Sequence, residues 1–94
     1  MMSLMPKFDW HEAKNLSNVI KHGIGFGDAI AVFLDERRID FDVTRPQDGE
    51  QRRKTVGLID GRIMTVVYTP REGLYWIISA RRANPPEERR YVQR

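Results

Sequence analysis

Arginines at the ends of apolar segments are the residues of this sequence with the most distinctive chemistry. Arg62 follows an Asp-Gly dipeptide, and Arg81 and Arg82 follow the apolar run at residues 74–80. A guanidinium group keeps its charge at physiological pH and can bind a phosphate through two parallel hydrogen bonds. If these apolar segments are strands, the arginines lie at the border of a sheet, and they predict a site there that binds phosphate and stabilises its charge.

The charge of the chain is concentrated in its second half. The formal net charge is +3, with 6 Lys/Arg against 9 Asp/Glu in residues 1–50 and 10 against 4 in residues 51–94. A basic segment rich in arginine favours an anionic partner, and nucleic acid is the commonest one. A solvated basic face without a partner remains an open alternative.

His22 lies in the stretch KHGIGF, where a helical pattern ends. A histidine in the last turn of a helix interacts favourably with the negative end of that helix, which is a purely structural role. It can also act as a general acid or base, or bind phosphate when charged. Tyr91 and Tyr68 leave two possibilities open as well, because each could either donate to a phosphate or complete a core.

Composition and motifs exclude several other classes of protein. The chain of 94 residues contains no cysteine, so it can form neither a disulfide nor a thiolate zinc site. No grouping of His, Asp and Glu has metal-ligand spacing, and we expect neither a metal nor another cofactor. The glycines at 23, 25 and 27 follow no strand and indicate a turn between helices instead of a phosphate loop. No apolar run is long enough for a signal peptide or a membrane span, so we expect a cytoplasmic protein.

The first third of the sequence predicts two short helices. Asp9 and Glu12 have the spacing of a capping box, and Ala13, Leu16, Val19 and Ile20 recur on one side of a helix that Gly23 ends. A second helical pattern follows, formed by Phe26, Ala29, Ile30, Phe33 and Leu34. Residues 1–7 precede these patterns, and we expect them to be flexible.

From residue 39 the pattern changes to the alternation typical of strands. Four strands are predicted at residues 39–43, 55–59, 62–69 and 74–80, with a two-residue turn at Asp60-Gly61 and an antiparallel order. Asn84, with the prolines that follow it, begins a short C-terminal helix. The fold class is therefore α+β, with two N-terminal helices on a four-stranded antiparallel sheet and a short C-terminal helix, in a single domain spanning residues 1–94. By strand direction Arg71 and Arg62 lie at opposite ends of one strand, and Arg81 should lie near Arg62.

The order of motifs along the chain resembles one known family. The segments FDWHEAKNLSNVIKHGIGF, VVYTPREG and IISARRANPPEERRYV follow the order and spacing of the BrnT family, the toxin half of a bacterial type II toxin–antitoxin pair. The resemblance covers nearly the whole chain, from Phe8 to Tyr91. It departs at His11, where the family more usually has aspartate, so the exact cap of the first helix is open.

The resemblance implies a RelE-like fold and a ribonuclease activity that inhibits translation. It also implies a cognate BrnA-like antitoxin with a ribbon-helix-helix DNA-binding part, and contact with operator DNA only through the antitoxin complex. A metal-independent mechanism fits these expectations, with attack by the ribose 2′-hydroxyl on the adjacent phosphorus. The predicted catalytic residues are Arg62, Arg81, His22, Lys14 and Tyr91. The predicted RNA-binding residues are Arg82, Arg71, Lys21, Arg89 and Tyr68.

Two other functions stay open on the sequence alone. The basic half could belong to a binding module without catalytic activity, which would bind RNA in a salt-sensitive way and release no product. Asp9 and Glu12 could instead belong to a metal-dependent nuclease, whose activity would disappear on chelation.

Overall fold

The computed structural model describes residues 6–94, in which five strands form one mixed sheet with the order β1-β5-β4-β3-β2. The strands are β1 (Lys7–Asp9), β2 (Ile39–Asp42), β3 (Arg53–Ile59), β4 (Arg62–Arg71) and β5 (Leu74–Arg82). The helices are α1 (Glu12–His22), α2 (Phe26–Ala29) and α3 (Pro85–Val92), with 3-10 helices at Ile30–Leu34 and Pro46–Asp48. The α+β class is confirmed.

The strand β1 corrects the predicted sheet. It pairs in parallel with β5, with Phe8 opposite Tyr75, so the sheet has five strands and is not purely antiparallel. A three-residue strand is too short to show a periodic pattern. Aromatic packing accompanies the pairing, because the Phe8 ring lies 5.0 Å from that of Phe33 and 5.8 Å from that of Tyr75. The predicted flexible segment 1–7 lies largely outside the described residues, and its last residue, Lys7, belongs to β1.

The other four strands form the predicted antiparallel meander. β4 lies at the centre of the sheet, between β3 and β5. Asp60 and Gly61 have φ angles of 50° and 77°, as a two-residue type I′ turn requires, and the turn sets Ile59 opposite Arg62. The pairing of β4 with β5 shifts register between Val67 and Tyr68, which indicates a bulge.

One face of the sheet packs against α2 and the 3-10 helix Ile30–Leu34. Phe26, Ala29 and Val32 are fully buried there, against a sheet surface that includes Val66 and Tyr68. The second predicted helix is therefore present, although it continues as a 3-10 helix after Ala29. Glycine at position 57 allows a close approach, because a Cβ atom there would lie only 3.0 Å from a methyl carbon of Val32.

The helix α1 differs from its prediction in its cap. His11 occupies the N-cap position without a side-chain hydrogen bond, so the predicted Asp9–Glu12 capping box is wrong. The Asp9 carboxylate instead accepts from the N–H of Trp10. The end of the helix is as predicted, since Gly23 adopts a left-handed conformation with φ 74°.

The helix α3 packs over the opposite face of the sheet. Tyr91 of this helix is buried in a second cluster with Val56 and Ala83. Its start is as predicted: Asn84 accepts a hydrogen bond from the Glu87 N–H, and the Glu87 side chain accepts one from the Asn84 N–H. None of the helices formed by residues 6–94 is long and apolar enough to cross a membrane.

Candidate active site

A hollow of about 650 Å³ opens where the end of α1, the β3–β4 turn and the end of β5 meet. Three basic side chains line it: His22 from α1, Arg62 from β4 and Arg82 from β5. All three residues are exposed to solvent. The hollow is therefore the place where the structure brings together a proton-exchanging side chain and two guanidinium groups.

Local backbone geometry sets each of these residues at the rim of the hollow. Gly23 ends α1 directly after His22, and its N–H donates to the carbonyl of Val19 at 2.9 Å. The tight turn before Arg62 places that residue at the very start of β4. Arg82 is the last residue of β5 and lies opposite Met64, a buried residue that also lines the hollow.

The hollow carries cations that are free to bind a ligand. Within residues 6–94, neither Arg62 nor Arg82 forms an ion pair. Two carboxylates, Asp28 and Asp60, also line the hollow, so the surface is mixed in charge. A free guanidinium can exchange its water for a phosphate without first breaking a contact within the protein.

A second, smaller hollow of about 170 Å³ adjoins the first, and His22 lines both. Lys14 and Lys21 of α1 line this second hollow, together with Ser17 and Ser79. The two lysines are seven residues apart on one helix and therefore lie on the same side of it. The structure thus extends the cationic surface from the main hollow along α1.

Arg81 does not belong to this surface, which corrects the prediction that it would pair with Arg62. Neighbouring residues of a strand point to opposite faces of the sheet, and Arg81 lies on the face covered by α3. Its guanidinium donates to both carboxylate oxygens of Glu87, at 2.8 and 2.9 Å. Arg82 occupies the position near Arg62 instead.

The Glu87 carboxylate is the centre of a buried polar cluster. It accepts hydrogen bonds from Arg81, from Lys54 at 2.8 Å, from Thr65 at 2.9 Å and from the Asn84 N–H at 3.0 Å. Burial by itself raises the pKa of this carboxyl, but these hydrogen bonds outweigh burial and hold the pKa well below its usual range. The same carboxylate raises the pKa of Arg81. Arg81 therefore links β5 to α3.

The remaining predicted site residues lie away from both hollows. Arg71 pairs with Glu50 at 2.6 Å at the far end of β4, as its predicted separation from Arg62 requires. Arg89 is exposed on α3. Tyr68 and Tyr91 are both buried, and their hydroxyls donate to the carboxylates of Asp40 and Asp35 at 2.5 Å.

Burial and a neighbouring carboxylate raise the pKa of each of these two tyrosine hydroxyls. Their protons are held within the fold, and the geometry does not bring either hydroxyl to the hollows. The proton-transfer role predicted for Tyr91 and the RNA-binding role predicted for Tyr68 gain no support from this placement.

The residues proposed for a metal-dependent nuclease do not form a ligand set. Glu12 accepts from the Trp10 indole N–H at 3.3 Å and from Asn15 at 2.8 Å, and Asp9 accepts from the Trp10 backbone. Across residues 6–94, no three His, Asp or Glu side chains are grouped so that they could hold a metal ion.

A comparison with protein families identifies the chain. Residues 10–87 match the family model described as "Ribonuclease toxin, BrnT, of type II toxin-antitoxin system". The chain belongs to the BrnT family. A ribonuclease toxin of a type II system acts on RNA and has an antitoxin partner. The hollow of this BrnT protein holds two guanidinium groups, from Arg62 and Arg82, beside the carboxylates of Asp28 and Asp60. No curated protein matches the chain.

Sequence reasoning missed two features that shape the site in this BrnT protein. The alternation of a strand places Arg81 and Arg82 on opposite faces of the sheet, with Ala80 on the same face as Arg82. Nothing in the sequence showed which of the two faces α3 covers. Asn18, which joins α1 to β5, gave no signal, since an asparagine inside a helix is ordinarily a solvated residue.

Proposed function

We propose that the hollow between α1, β4 and β5 binds one phosphodiester of RNA and cleaves it without a metal ion. The observation that carries the proposal is the convergence of His22, Arg62 and Arg82 on one hollow, with both guanidinium groups free of ion pairs within residues 6–94. The Lys14–Lys21 surface beside it would hold the neighbouring part of the RNA backbone.

The reaction would be an internal transfer at phosphorus. The ribose 2′-oxygen bonds to the adjacent phosphorus, its proton passes to a base, and the bond from phosphorus to the 5′-oxygen of the next nucleotide breaks. That 5′-oxygen takes up a proton, which leaves a 2′,3′-cyclic phosphate and a 5′-hydroxyl. Arg62 and Arg82 would stabilise the charge that grows on the phosphoryl oxygens, and His22 would carry a proton.

Cleavage of a short RNA in EDTA tests this proposal. We expect products with a 2′,3′-cyclic phosphate, and no cleavage where the nucleotide carries a 2′-deoxyribose. Arg62→Ala, Arg82→Ala and His22→Ala should each lower kcat/KM by about 10²–10³-fold. Arg37→Ala is the matched control, because Arg37 is an exposed arginine that lines neither hollow.

Two outcomes would contradict the mechanism. Activity that disappears in EDTA and returns with magnesium would show that a metal ion takes part. Salt-sensitive RNA binding without any product would show a binding module, since phosphate contacts release counterions whether or not a bond breaks.

We also propose the nature of the partner from the family membership. The antitoxin would be a BrnA-like protein with a ribbon-helix-helix DNA-binding part, and this chain would contact operator DNA only through its complex with the antitoxin. Both proteins would act in the cytoplasm. An electrophoretic mobility shift with the chain alone, the antitoxin alone and the complex tests this arrangement; a shift produced by the chain alone would contradict it.

A further inference from the structure

The helix α1 exposes its apolar residues instead of burying them. Ile20 is 88% exposed and Leu16 is 57% exposed, and Ala13 on the same side is exposed as well. The helical positions 13, 16 and 20 form one stripe, which we call the α1 stripe. Contiguous apolar surface that stays exposed beside polar residues is typical of an interaction site on a soluble protein.

Hydrogen bonds from two asparagines fix this orientation. The Asn18 amide donates to the carbonyl of Ala80 at 2.7 Å and to that of Ile24 at 2.9 Å, while its oxygen accepts from the Ala80 N–H at 3.2 Å. The Asn15 oxygen accepts from the Phe26 N–H at 2.7 Å.

The polar side of α1 is thereby joined to the sheet and to the start of α2. A roll of the helix that buried the stripe would leave the Ala80 backbone groups without these partners, at a free-energy cost for each. The outward stripe is consequently a stable feature of the fold.

The surroundings of the stripe indicate the chemistry of a partner. Lys14 and Lys21 lie beside it on the same helix, and His22 at the helix end belongs to the main hollow. A partner that covers the stripe would complement the charge of these lysines if acidic residues flanked its own apolar side chains. The family membership supplies a protein partner of this chain, the antitoxin.

We propose that the α1 stripe is the docking surface for the antitoxin, which inserts apolar side chains over Leu16 and Ile20 and sets acidic residues against Lys14 and Lys21. A partner seated there would reach the rim of the hollow at His22, so binding and neutralisation would use one helix. The neutralising part of this proposal rests on the proposed function of the hollow, whereas the docking part does not.

The test uses the full chain and the protein encoded by the adjoining reading frame as the antitoxin. The double variant Leu16→Ser/Ile20→Ser should weaken binding by at least about 30-fold, as expected when central apolar contacts are lost. Both changes are neutral and lie outside the hollows, so they leave the charge near the proposed active site unaltered. Val92→Ser is the matched control, because Val92 is 68% exposed and lies on α3 across the sheet.

Three measurements separate the possible failures. Binding is measured by calorimetry, ribonuclease activity is measured on each variant alone, and circular dichroism shows that each variant is folded. The expected result is a double variant that still cleaves RNA and escapes inhibition by the antitoxin. Normal affinity of the double variant would overturn the docking proposal, and so would a loss of self-association with unchanged antitoxin binding, which would assign the stripe to a second copy of this chain.

A wild-type chain that binds the antitoxin through the stripe but never cleaves RNA would contradict the proposed function alone. The single variant Ile20→Ser provides a further check, since it removes the most exposed side chain of the stripe and should reproduce part of the loss in affinity.

Discussion

The adjacent residues Arg81 and Arg82 should respond to the same substitution in opposite ways. Arg81→Ala removes two charged hydrogen bonds to Glu87, at 2.8 and 2.9 Å, but leaves that carboxylate with donors from Lys54, Thr65 and the backbone. A buried carboxylate that keeps most of its partners limits the loss to about 2 kcal/mol of unfolding free energy. Arg82→Ala removes an exposed side chain without an ion pair and should change stability by no more than about 0.5 kcal/mol.

Catalysis should show the reverse order. A small domain with a stability of at least about 5 kcal/mol stays about 99% folded after the loss at Arg81, so its ribonuclease activity should fall only slightly. Loss of Arg82 should lower kcat/KM by about 10²–10³-fold. Urea unfolding followed by tryptophan fluorescence and cleavage of a fluorogenic RNA by the same preparations measure both effects. A folded Arg81→Ala variant without activity, beside a fully active Arg82→Ala variant, would refute the assignment of the hollow and return the site to the α3 face.

Three further predictions concern stability. Hydrogen bonds lower the pKa of Glu87 in the folded chain, so the unfolded chain binds more protons as pH falls below about 4.5. The wild type should therefore lose stability in that range, and Glu87→Gln should lose less. Equal slopes of unfolding free energy against pH for the two proteins would contradict this. Asn18→Ala should cost about 2 kcal/mol in urea unfolding, because both backbone groups of Ala80 lose their partner, and an unchanged midpoint would show that water replaces the amide. Gly57→Ala should cost about 1–3 kcal/mol through its contact with Val32, and thermal unfolding that matches the wild type would mean that the 3-10 helix shifts freely.

The sheet could be predicted from the sequence wherever a strand was long or a turn was specific. Alternation over β4 and the Asp60-Gly61 turn predicted the central strand and its hairpin, and Asn84 predicted the start of α3. The strand β1 could not be predicted, because three residues show no period and its pairing depends on a segment more than sixty positions away. Contacts so distant in sequence leave no local pattern.

The candidate site was predicted in its chemistry more than in its geometry. Arginines at the strand ends and His22 in the last turn of a helix were recognised, but the choice between Arg81 and Arg82 depended on which face α3 covers. That choice is made by Glu87, whose carboxylate binds Arg81 on the face of the sheet that α3 covers. The orientation of α1 could not be predicted either. The hydrogen bonds of Asn18 fix the helix with its apolar stripe exposed to solvent.

The position of β5 between β1 and β4 has a consequence for the way this protein is made. The ribosome synthesises β5 after all the other strands, yet β5 alone joins the N-terminal strand to the rest of the sheet and carries Arg82 at its end. A nascent chain therefore cannot complete the hollow until β5 has left the ribosome. Under the proposed function, the chain would gain ribonuclease activity only after β5 has paired with both β1 and β4.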